Sequence, residues 1–234
     1  DLMITMREQT QKCGASFLSE SVAKVDFSKR PFTLFTTGNQ AIQAHAVIVA
    51  TGATPKKLKC KGEQDYWGKG VSTCATCDAP LYENKEVVIV GGGNTAMTEA
   101  EHLSHGAKKI TLVFITDQPT ANDPIKDKVL TNQIVRLMQS STLIEIIGDG
   151  QRVTGVVVEN QKDKTKQSIK TDGVFIAIGT SPNTQFLNGQ LALDQYGYLV
   201  VRNHTKTNVD GIFAAGDVAD YRYRHHQQSL PGKI

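Results

Sequence analysis

The sequence predicts an α/β fold in which a compact nucleotide-type domain is inserted between two pieces of another domain. Residues 86–115 have a β-α-β pattern with a glycine-rich turn after the first strand. Continuous apolar runs at residues 46–50, 87–90 and 174–178 have the length of buried strands. β-rich segments on both sides of this region, at residues 17–36 and 198–214, supply the two outer pieces.

Composition narrows the class of protein. The chain has 234 residues, of which 39% are hydrophobic and 21% charged, enough apolar material for a core and too little charge for a disordered chain. A net charge of +3 is too small to indicate a nucleic-acid-binding protein. No apolar run approaches the roughly 18 residues of a membrane span. No signal peptide is visible, so the cytoplasm is the default location.

The first outer piece is predicted from short local patterns. Helical spacing and a glycine cap predict a helix over residues 2–14. Strands are expected at residues 17–18, 22–27 and 32–36, with a turn at Gly38-Asn39. The buried strand at residues 46–50 ends in Thr51-Gly52, and a polar connector follows at residues 55–70.

The inserted region continues the alternation of strands and helices. After the strand at 87–90, Asn94 is expected to cap a helix that runs to Gly106. Asp123-Pro124 is expected to open a second helix that ends near residue 139. Further strands are expected at residues 110–115, 143–147, 153–158 and 174–178, the last ended by Gly179. Strands at residues 198–201 and 212–214, the second followed by Gly216-Asp217, belong to the other outer piece.

The glycine turn matches the dinucleotide fingerprint G-x-G-x-x-A. Gly91 makes the tight turn, Gly93 lets backbone N–H groups approach a pyrophosphate, and Ala96 allows close helix–strand packing. The helix N-terminus adds partial positive charge. The second strand ends without Arg or Lys, and Asp117 there suits a ribose hydroxyl better than a phosphate. A tight turn without a ligand, and a plain loop aspartate, remain the alternatives.

A C-x-x-C-D motif precedes the fingerprint. The spacing of Cys74 and Cys77 is typical of a redox dithiol or of half a metal site. Two thiols at this spacing can close a small disulfide where a helix begins. The adjacent Asp78 could carry a proton during exchange. The isolated Cys13 and Cys60 are expected to be small buried apolar residues.

Zinc is the rival interpretation of the cysteine pair. His102-x-x-His105 supplies suitable ligand types, but 24 residues separate Cys77 from His102. A zinc finger has about 12–15 at this point. The intervening residues are the predicted strand and glycine turn, so no metal site is predicted.

The chain resembles the low-molecular-weight thioredoxin reductases, which are flavoprotein disulfide reductases. The resemblance covers nearly the whole chain and rests on several short motifs, which are V-D-F from Val25, R-P-F from Arg30, V-I-V-A-T-G-A from Val47, C-A-T-C-D from Cys74, G-G-G-N-T-A from Gly91, A-I-G from Ala177, P-N-T from Pro182 and G-I-F-A-A-G-D-V from Gly211.

This resemblance implies a domain organisation. It implies two nucleotide-binding Rossmann-like domains of three-layer ββα type. An NAD(P)H-binding domain at residues 58–180, which carries the redox C-x-x-C, would be inserted into a partial FAD-binding domain at residues 1–57 and 181–234. It also implies a homodimer, and a rotation of one domain against the other about hinges near residues 57–58 and 179–181.

The same resemblance implies an activity. NADPH would reduce FAD, reduced FAD would reduce the Cys74–Cys77 disulfide, and the dithiol would reduce thioredoxin. Cys77 would face the flavin, Cys74 would attack thioredoxin, and Asp78 would be the general acid/base. The implied cofactor-binding residues are Thr51, Gly52, Gly91, Gly93, Asn94, Thr95, Ala96, Gly179, Gly216, Asp217, Arg224, His225 and His226.

Departures from the family pattern define the alternatives. The chain has a single G-x-G motif and begins Asp1-Leu2-Met3, so we expect it to be incomplete at both ends and to bind FAD poorly. The arginines that hold the NADPH 2′-phosphate are replaced by residues 114–116 and Thr120, which makes NADH possible. The alternatives are a truncated, non-catalytic paralogue with a redox dithiol, and a flavin disulfide reductase that uses NADH or ferredoxin.

Overall fold

The computed structural model describes residues 2–122 and 124–219, which form two compact units. One unit is Thr54–Ser181, and the other combines residues 2–53 with residues 182–219. Each of three hydrophobic clusters lies wholly within one unit, two of them in Thr54–Ser181. The assignment of these units to particular cofactors stays a prediction.

The described residues form four α-helices and fifteen β-strands. The helices are α1 (Leu2–Lys12), α2 (Ala75–Asp78), α3 (Asn94–Leu103) and α4 (Ile125–Leu130). The strands are β1 (Val22–Asp26), β2 (Phe32–Thr36), β3 (Ala41–Ala44), β4 (Val47–Val49), β5 (Ala53–Pro55), β6 (Val71–Ser72), β7 (Glu86–Val90), β8 (Lys109–Val113), β9 (Val135–Met138), β10 (Ser141–Gly148), β11 (Val153–Asn160), β12 (Lys166–Lys170), β13 (Gly173–Ile176), β14 (Thr180–Pro182) and β15 (Ile212–Ala214). None of these helices is long and apolar enough to cross a bilayer.

The unit Thr54–Ser181 is built on a five-stranded parallel sheet in the order β6-β13-β7-β8-β9. Side chains alternate between its two faces. Val87 and Ile89 of β7 pack with the buried side of α3, while Val88 and Val90 pack with the antiparallel sheet β10-β11-β12. The order of layers is therefore sheet, sheet, helix, and the expected three-layer ββα fold is confirmed.

The other unit pairs strands from both ends of the described chain. β4 and β15 are parallel neighbours, with Val47 opposite Ile212. β1, β2 and β3 form an antiparallel sheet. Residues of both groups share one core, to which Phe32, Val49 and Ile212 contribute. Because β4 and β15 are parallel, the segments that follow them leave the same edge of this pair. The connecting strands β5 and β14 pair with each other.

One of the predicted helices differs from the structure, and another is present but exposed. The expected helix to residue 139 is wrong: α4 ends at Leu130, and β9 follows as the edge strand beside β8. Parallel pairing of residues 135–138 outweighs their local pattern. The predicted cap Asp123 lies outside the described residues. The helix expected over 2–14 is present as α1, followed by Gly14 with φ 90°, yet α1 contributes no buried residue.

Two of the predicted strands do not form, although their residues lie in the described part of the chain. Residues 17–18 form no strand, and both side chains are exposed. Residues 198–201 form only an isolated bridge between Leu193 and Leu199, because a turn at Asp194–Gly197 brings those two residues together.

Candidate active site

The two motif cysteines are joined by a disulfide on the surface of the unit Thr54–Ser181. Cys74 precedes α2 and Cys77 lies within it, with their Cα atoms 5.3 Å apart. That separation is in the ordinary range for a disulfide. One turn of helix brings residues three apart together, which is why a C-x-x-C segment closes a ring here. The cysteines are therefore placed as a redox pair requires.

The two sulfurs have different surroundings. Cys77 is exposed, whereas Cys74 is half-buried. The backbone N–H of Cys77 donates to Sγ of Cys74 at 3.2 Å, and the N–H of Cys74 donates to the Ser72 hydroxyl at 3.1 Å. Half-buried Asp78 ends the same turn, and its N–H donates to the Cys74 carbonyl at 3.2 Å.

Cys13, Cys60 and the histidines of α3 and its end form no metal site with this pair among the residues that the structure describes. His102 and His105 lie at the end of α3, where His105 contacts the His102 carbonyl at 3.1 Å and Glu101 at 3.6 Å. In the described part of the chain, no group of three or more His, Cys, Asp or Glu residues could hold a metal ion. Cys60 is half-buried, and burial raises its pKa to about 11. The expectation that Cys13 is buried is wrong, because it follows the exposed helix α1.

The glycine turn joins β7 to α3. Gly91 has φ 140°, and a Cβ there would lie 2.3 Å from the Ala177 carbonyl oxygen. Only glycine fits this close approach to the end of β13. At Gly93 a Cβ would point into open space, its nearest neighbour being the Thr120 hydroxyl oxygen at 3.9 Å. The turn is therefore tight on the protein side and open on the other.

The first turn of α3 faces this open side. Gly93 is the N-cap residue and supplies no side-chain acceptor to the first N–H groups. Ala96 is fully buried, as close packing of the helix on the sheet requires. The expectation that Asn94 caps the helix is wrong, because its side-chain oxygen instead accepts the Asn122 N–H at 2.8 Å. The chemistry of this turn fits an anionic group such as a pyrophosphate.

The segment after β8 folds back over the glycine turn. The Thr120 hydroxyl donates to the Gly92 carbonyl at 3.3 Å, and Ile115 is exposed. Asp117 accepts a hydrogen bond from Ser140 and lies 2.5 Å from Nζ of Lys162. These two partners, Lys162 first, lower the pKa of Asp117. Lys162 comes from the turn after β11 and was not predicted, because it is distant in the sequence.

Gly179 lies after β13, on the same side of the sheet as the glycine turn. Its φ is 92°, and its carbonyl accepts the Lys56 N–H at 2.9 Å. A Cβ at Gly179 would meet no atom within 4 Å. The structure thus brings Gly91 and Gly179 to the carboxyl edge of neighbouring parallel strands, where open α/β sheets bind ligands.

The residues expected to contact a flavin lie in the other unit, at the carboxyl ends of β4 and β15. Thr51 and Gly52 follow β4, and Gly216 and Asp217 follow β15. Gly52 and Gly216 have φ values of 66° and 77°, and a Cβ on either would meet no atom within 4 Å. Asp217 is exposed. The predicted residues Arg224, His225 and His226 lie outside the described residues.

A buried acid under the redox turn was not predicted. Glu99 of α3 is 8% exposed, and the backbone of Ala75 hydrogen-bonds to its carboxylate. Among the described residues its Oε2 has no hydrogen-bond partner. Burial raises the pKa of Glu99 to about 7. The helical pattern places residue 99 on the same face as Ala96 and Leu103, which is the one cue that it would be buried.

Known proteins that resemble this chain are pyridine nucleotide-disulphide oxidoreductases. Residues 5–231 match the family described as pyridine nucleotide-disulphide oxidoreductase. A thioredoxin reductase of Dictyostelium discoideum is 43% identical over 229 residues, covering 96% of this chain and 72% of the relative. One from Rickettsia felis is 41% identical over 226 residues, covering 95% and 73%.

A solved structure of a thioredoxin reductase also resembles this chain. The thioredoxin reductase from Giardia duodenalis superposes with a TM-score of 0.77 at 41% identity, covering 97% of this chain and 74% of that one. With the disulfide on α2 and the glycine turn in one unit, these similarities are sufficient to assign the family. The chain belongs to the thioredoxin reductases, within the pyridine nucleotide-disulphide oxidoreductase family.

Proposed function

We propose that the chain carries electrons from NAD(P)H through FAD to the Cys74–Cys77 disulfide and on to thioredoxin. The observation that carries this proposal is the disulfide itself, closed on α2 with Cys77 exposed. It lies in the same unit as a glycine turn suited to a dinucleotide. The relatives named thioredoxin reductase support the identity of the final acceptor.

The nicotinamide nucleotide is assigned to the unit Thr54–Ser181. Backbone N–H groups at the start of α3, in the sequence Gly93-Asn94-Thr95-Ala96, would hold its pyrophosphate. Gly91 keeps the turn tight, and Gly179 leaves open space beside it. When bound, this nucleotide supplies a hydride, which is a pair of electrons with one proton.

FAD is assigned to the other unit. Gly52 and Gly216 leave room for a ligand to approach the backbone closely. The exposed carboxylate of Asp217 can accept hydrogen bonds from ribityl hydroxyls, and Thr51 lies at the neighbouring strand end. When bound, FAD supplies a two-electron relay between a hydride donor and a disulfide. Arg224, His225 and His226 stay predictions for the same cofactor.

Transfer to thioredoxin is a dithiol–disulfide exchange. One thiolate of the reduced pair attacks the thioredoxin disulfide, and a mixed disulfide forms as a thioredoxin thiolate leaves. The second sulfur of the pair then displaces the other thioredoxin sulfur. The Cys74–Cys77 disulfide returns, and thioredoxin gains two electrons and two protons. Asp78, in the same helical turn, is proposed to carry a proton during exchange.

A donor other than NADPH is the second candidate, and one observation favours it. The segment after β8 offers a carboxylate, Asp117, where a 2′-phosphate would need cations, and Lys162 is already paired with that carboxylate. A 2′-hydroxyl, as in NADH, would suit this carboxylate better. Homodimer formation and a cytoplasmic location are further proposals, supported by the resemblance alone.

The intramolecular half of the reaction can be tested without thioredoxin. The full chain is incubated anaerobically with FAD and either NADH or NADPH, and new thiols are alkylated and assigned to peptides by mass spectrometry. We expect Cys74 and Cys77 to become labelled together, only when both FAD and a nucleotide are present. Labelling that is independent of the nucleotide, or confined to Cys13 and Cys60, would support the non-catalytic paralogue instead.

A further inference from the structure

Glu99 is a buried acid in contact with the redox turn. α2 packs on α3, and the backbone N–H of Ala75, the residue after Cys74, donates to the Glu99 carboxylate. Glu99 is 8% exposed and Ala75 1% exposed, so water does not screen this contact. Oε2 of Glu99 has no hydrogen-bond partner among the described residues. A buried carboxylate oxygen without a partner is costly when charged.

The charge on Glu99 can therefore change near neutral pH. Burial raises its pKa to about 7 from an ordinary 4.5, and the Ala75 N–H opposes this by stabilising the anion. In the disulfide state Cys74 and Cys77 carry no charge. Above pH 7 the carboxylate of Glu99 is then the negative group held against the Cys74–Ala75 peptide.

Reduction would place a second negative charge at the same peptide. Sγ of Cys74 accepts the N–H of Cys77 at 3.2 Å, a contact that stabilises a thiolate at Cys74. Cys74 and Ala75 are consecutive, so this thiolate would form on the residue next to the N–H that contacts the Glu99 carboxylate. A second negative charge beside a buried carboxylate raises the free energy of both anions.

We propose that Glu99 is a positioning residue that exchanges its negative charge with the dithiol. It is an anion while Cys74 and Cys77 form the disulfide, and it takes up a proton when the Cys74 thiolate forms. The inference deepens the proposed function, on which it rests only for the physiological use of the dithiol.

In the test below, dithiothreitol closes to its own cyclic disulfide, which supplies two electrons and releases two protons to solvent. The Cys74–Cys77 bond breaks and accepts the two electrons. One solvent proton binds Cys77 as a thiol, the other binds Glu99, and Cys74 remains a thiolate. One negative charge is present before and after. Without an acid at position 99, only one proton accompanies the two electrons.

Other ionisable groups around α3 are accounted for. Lys128 of α4 pairs with Glu101 at 2.6 Å, and Glu86 of β7 lies 3.8 Å from Lys108. The remaining ionisable residues on the elements packed against α3 are Asp78 on α2, Tyr82 in the turn after it, Lys126 and Asp127 on α4, and Lys109 on β8. Among described residues, only burial and the Ala75 N–H shift the pKa of Glu99.

The test measures thiolate formation directly and needs no nucleotide, flavin or thioredoxin. The 234-residue chain is reduced with dithiothreitol, freed of reductant and briefly alkylated across the pH range in which Glu99 titrates. Peptide mass spectrometry then reports Cys74 and Cys77 separately. We expect Glu99→Gln to increase the alkylation rate of Cys74 severalfold at pH 7, and to replace a two-step pH profile by a single step.

Glu101→Gln is the matched control. It makes the same chemical change on α3, at a carboxylate that pairs with Lys128 at 2.6 Å and lies 3.6 Å from His105. We expect it to leave the Cys74 profile unchanged. Equal profiles for wild type and Glu99→Gln would overturn the proposal. The assay omits thioredoxin, so its result does not depend on the proposed function. The proposed function in turn does not depend on the role of Glu99.

A second measurement uses the wild type alone and does not depend on the folding of a variant. An infrared difference spectrum is recorded between the disulfide and dithiol states, above the pH at which Glu99 titrates in the disulfide state. We expect a protonated-carboxyl band, equivalent to one group per chain, to appear on reduction. Absence of that band would contradict the proposal.

Discussion

Asp117 and Lys162 form an ion pair that we expect, at the scale of single residues, to affect the choice between NADH and NADPH. Their ion pair of 2.5 Å neutralises the charge of Lys162, and another cation at this segment, Lys126, donates to the Pro119 carbonyl at 3.3 Å. We therefore expect the wild type to discriminate little between NADPH and NADH. A charge-assisted hydrogen bond contributes about 1.5–3 kcal/mol. Asp117→Asn, which frees Lys162, should shift the preference toward NADPH by roughly tenfold or more.

Lys162→Ala is the complementary change. It leaves Asp117 uncompensated, so NADPH binding should weaken while NADH binding changes little. The ratio of the two dissociation constants, measured by titration of each variant, checks both statements. An unchanged ratio in both variants would show that the 2′-position lies elsewhere.

The order of attack by the two cysteines can be assigned with single substitutions. The family resemblance implies that Cys74 attacks thioredoxin, and the Cys77 N–H, 3.2 Å from Sγ of Cys74, favours a thiolate at Cys74. The greater exposure of Cys77 favours the opposite order. Because the thiolate is the nucleophile, we expect Cys77→Ser, which keeps Cys74, to form the stable mixed disulfide with a thioredoxin that retains one cysteine. A preferred adduct with Cys74→Ser would show that exposure decides the order instead.

Glu99 should also affect stability. Its pKa is higher in the folded state, about 7, than its ordinary 4.5, so the folded protein binds this proton more tightly than the unfolded chain. The stabilisation is complete below the ordinary value and is lost as pH rises through 7. Relative to wild type, Glu99→Gln should gain on the order of 3 kcal/mol in unfolding free energy between those limits.

Urea unfolding of the disulfide form at several pH values measures this difference. Glu101→Gln serves again as the control, and its difference from wild type should not grow with rising pH in the same window. A constant difference between Glu99→Gln and wild type would mean that Glu99 does not titrate there.

Sequence patterns predict some of these residues and miss others for a physical reason. Cys74, Cys77 and Gly91 belong to local motifs whose spacing is itself the geometry. Lys162 reaches Asp117 only because the turn after β11 folds toward the end of β8, which no local pattern encodes. Glu99 has a helical spacing that indicates burial, but its contact with Ala75 depends on how α2 packs on α3.

At the scale of an element, the two glycines of the turn between β7 and α3 have different roles. Gly91 is needed for the fold, and Gly93 is expected to be needed for nucleotide binding. At Gly91 an added Cβ would lie 2.3 Å from a backbone oxygen, and φ is 140°. Gly91→Ala should therefore lower the free energy of unfolding by about 1–3 kcal/mol from backbone strain alone, and by more once the clash is added. At Gly93 φ is −90° and the space is open. Gly93→Ala should fold normally but place a methyl group where the pyrophosphate would lie.

Thermal unfolding and nucleotide titration of both variants test this contrast. We expect Gly93→Ala to keep the wild-type melting temperature and to lose nucleotide affinity. Normal affinity in Gly93→Ala would place the nucleotide away from this turn. A wild-type melting temperature in Gly91→Ala would show that the turn can move.

The element pattern was predictable where strands are buried on both faces. The runs at β7, β8 and β13 are continuous and apolar because each is covered by helices on one side and by a second sheet on the other. β9 was missed because an edge strand with exposed Arg136 carries no such run, and its four residues were counted as helix. Pairing with β8 decides its conformation.

At the scale of the whole molecule, the described chain divides into two units with separate cores. The insertion of one unit within the other was predictable because buried strands and turn glycines recur on both sides of the central β-α-β. The exact crossing points were not, since the chain passes between units through the paired strands β5 and β14 rather than through a glycine-rich linker. The cofactor held by each unit stays a proposal.

Electrons are proposed to leave this chain through Cys74 and Cys77 to thioredoxin. The most direct measurement is the rate at which thioredoxin thiols appear when the full chain is supplied with FAD and a nicotinamide nucleotide. We expect one thioredoxin dithiol for each nucleotide oxidised, with no thiol release by Cys77→Ser. Nucleotide oxidation that leaves the thioredoxin disulfide intact, in a preparation with bound FAD, would contradict the claim.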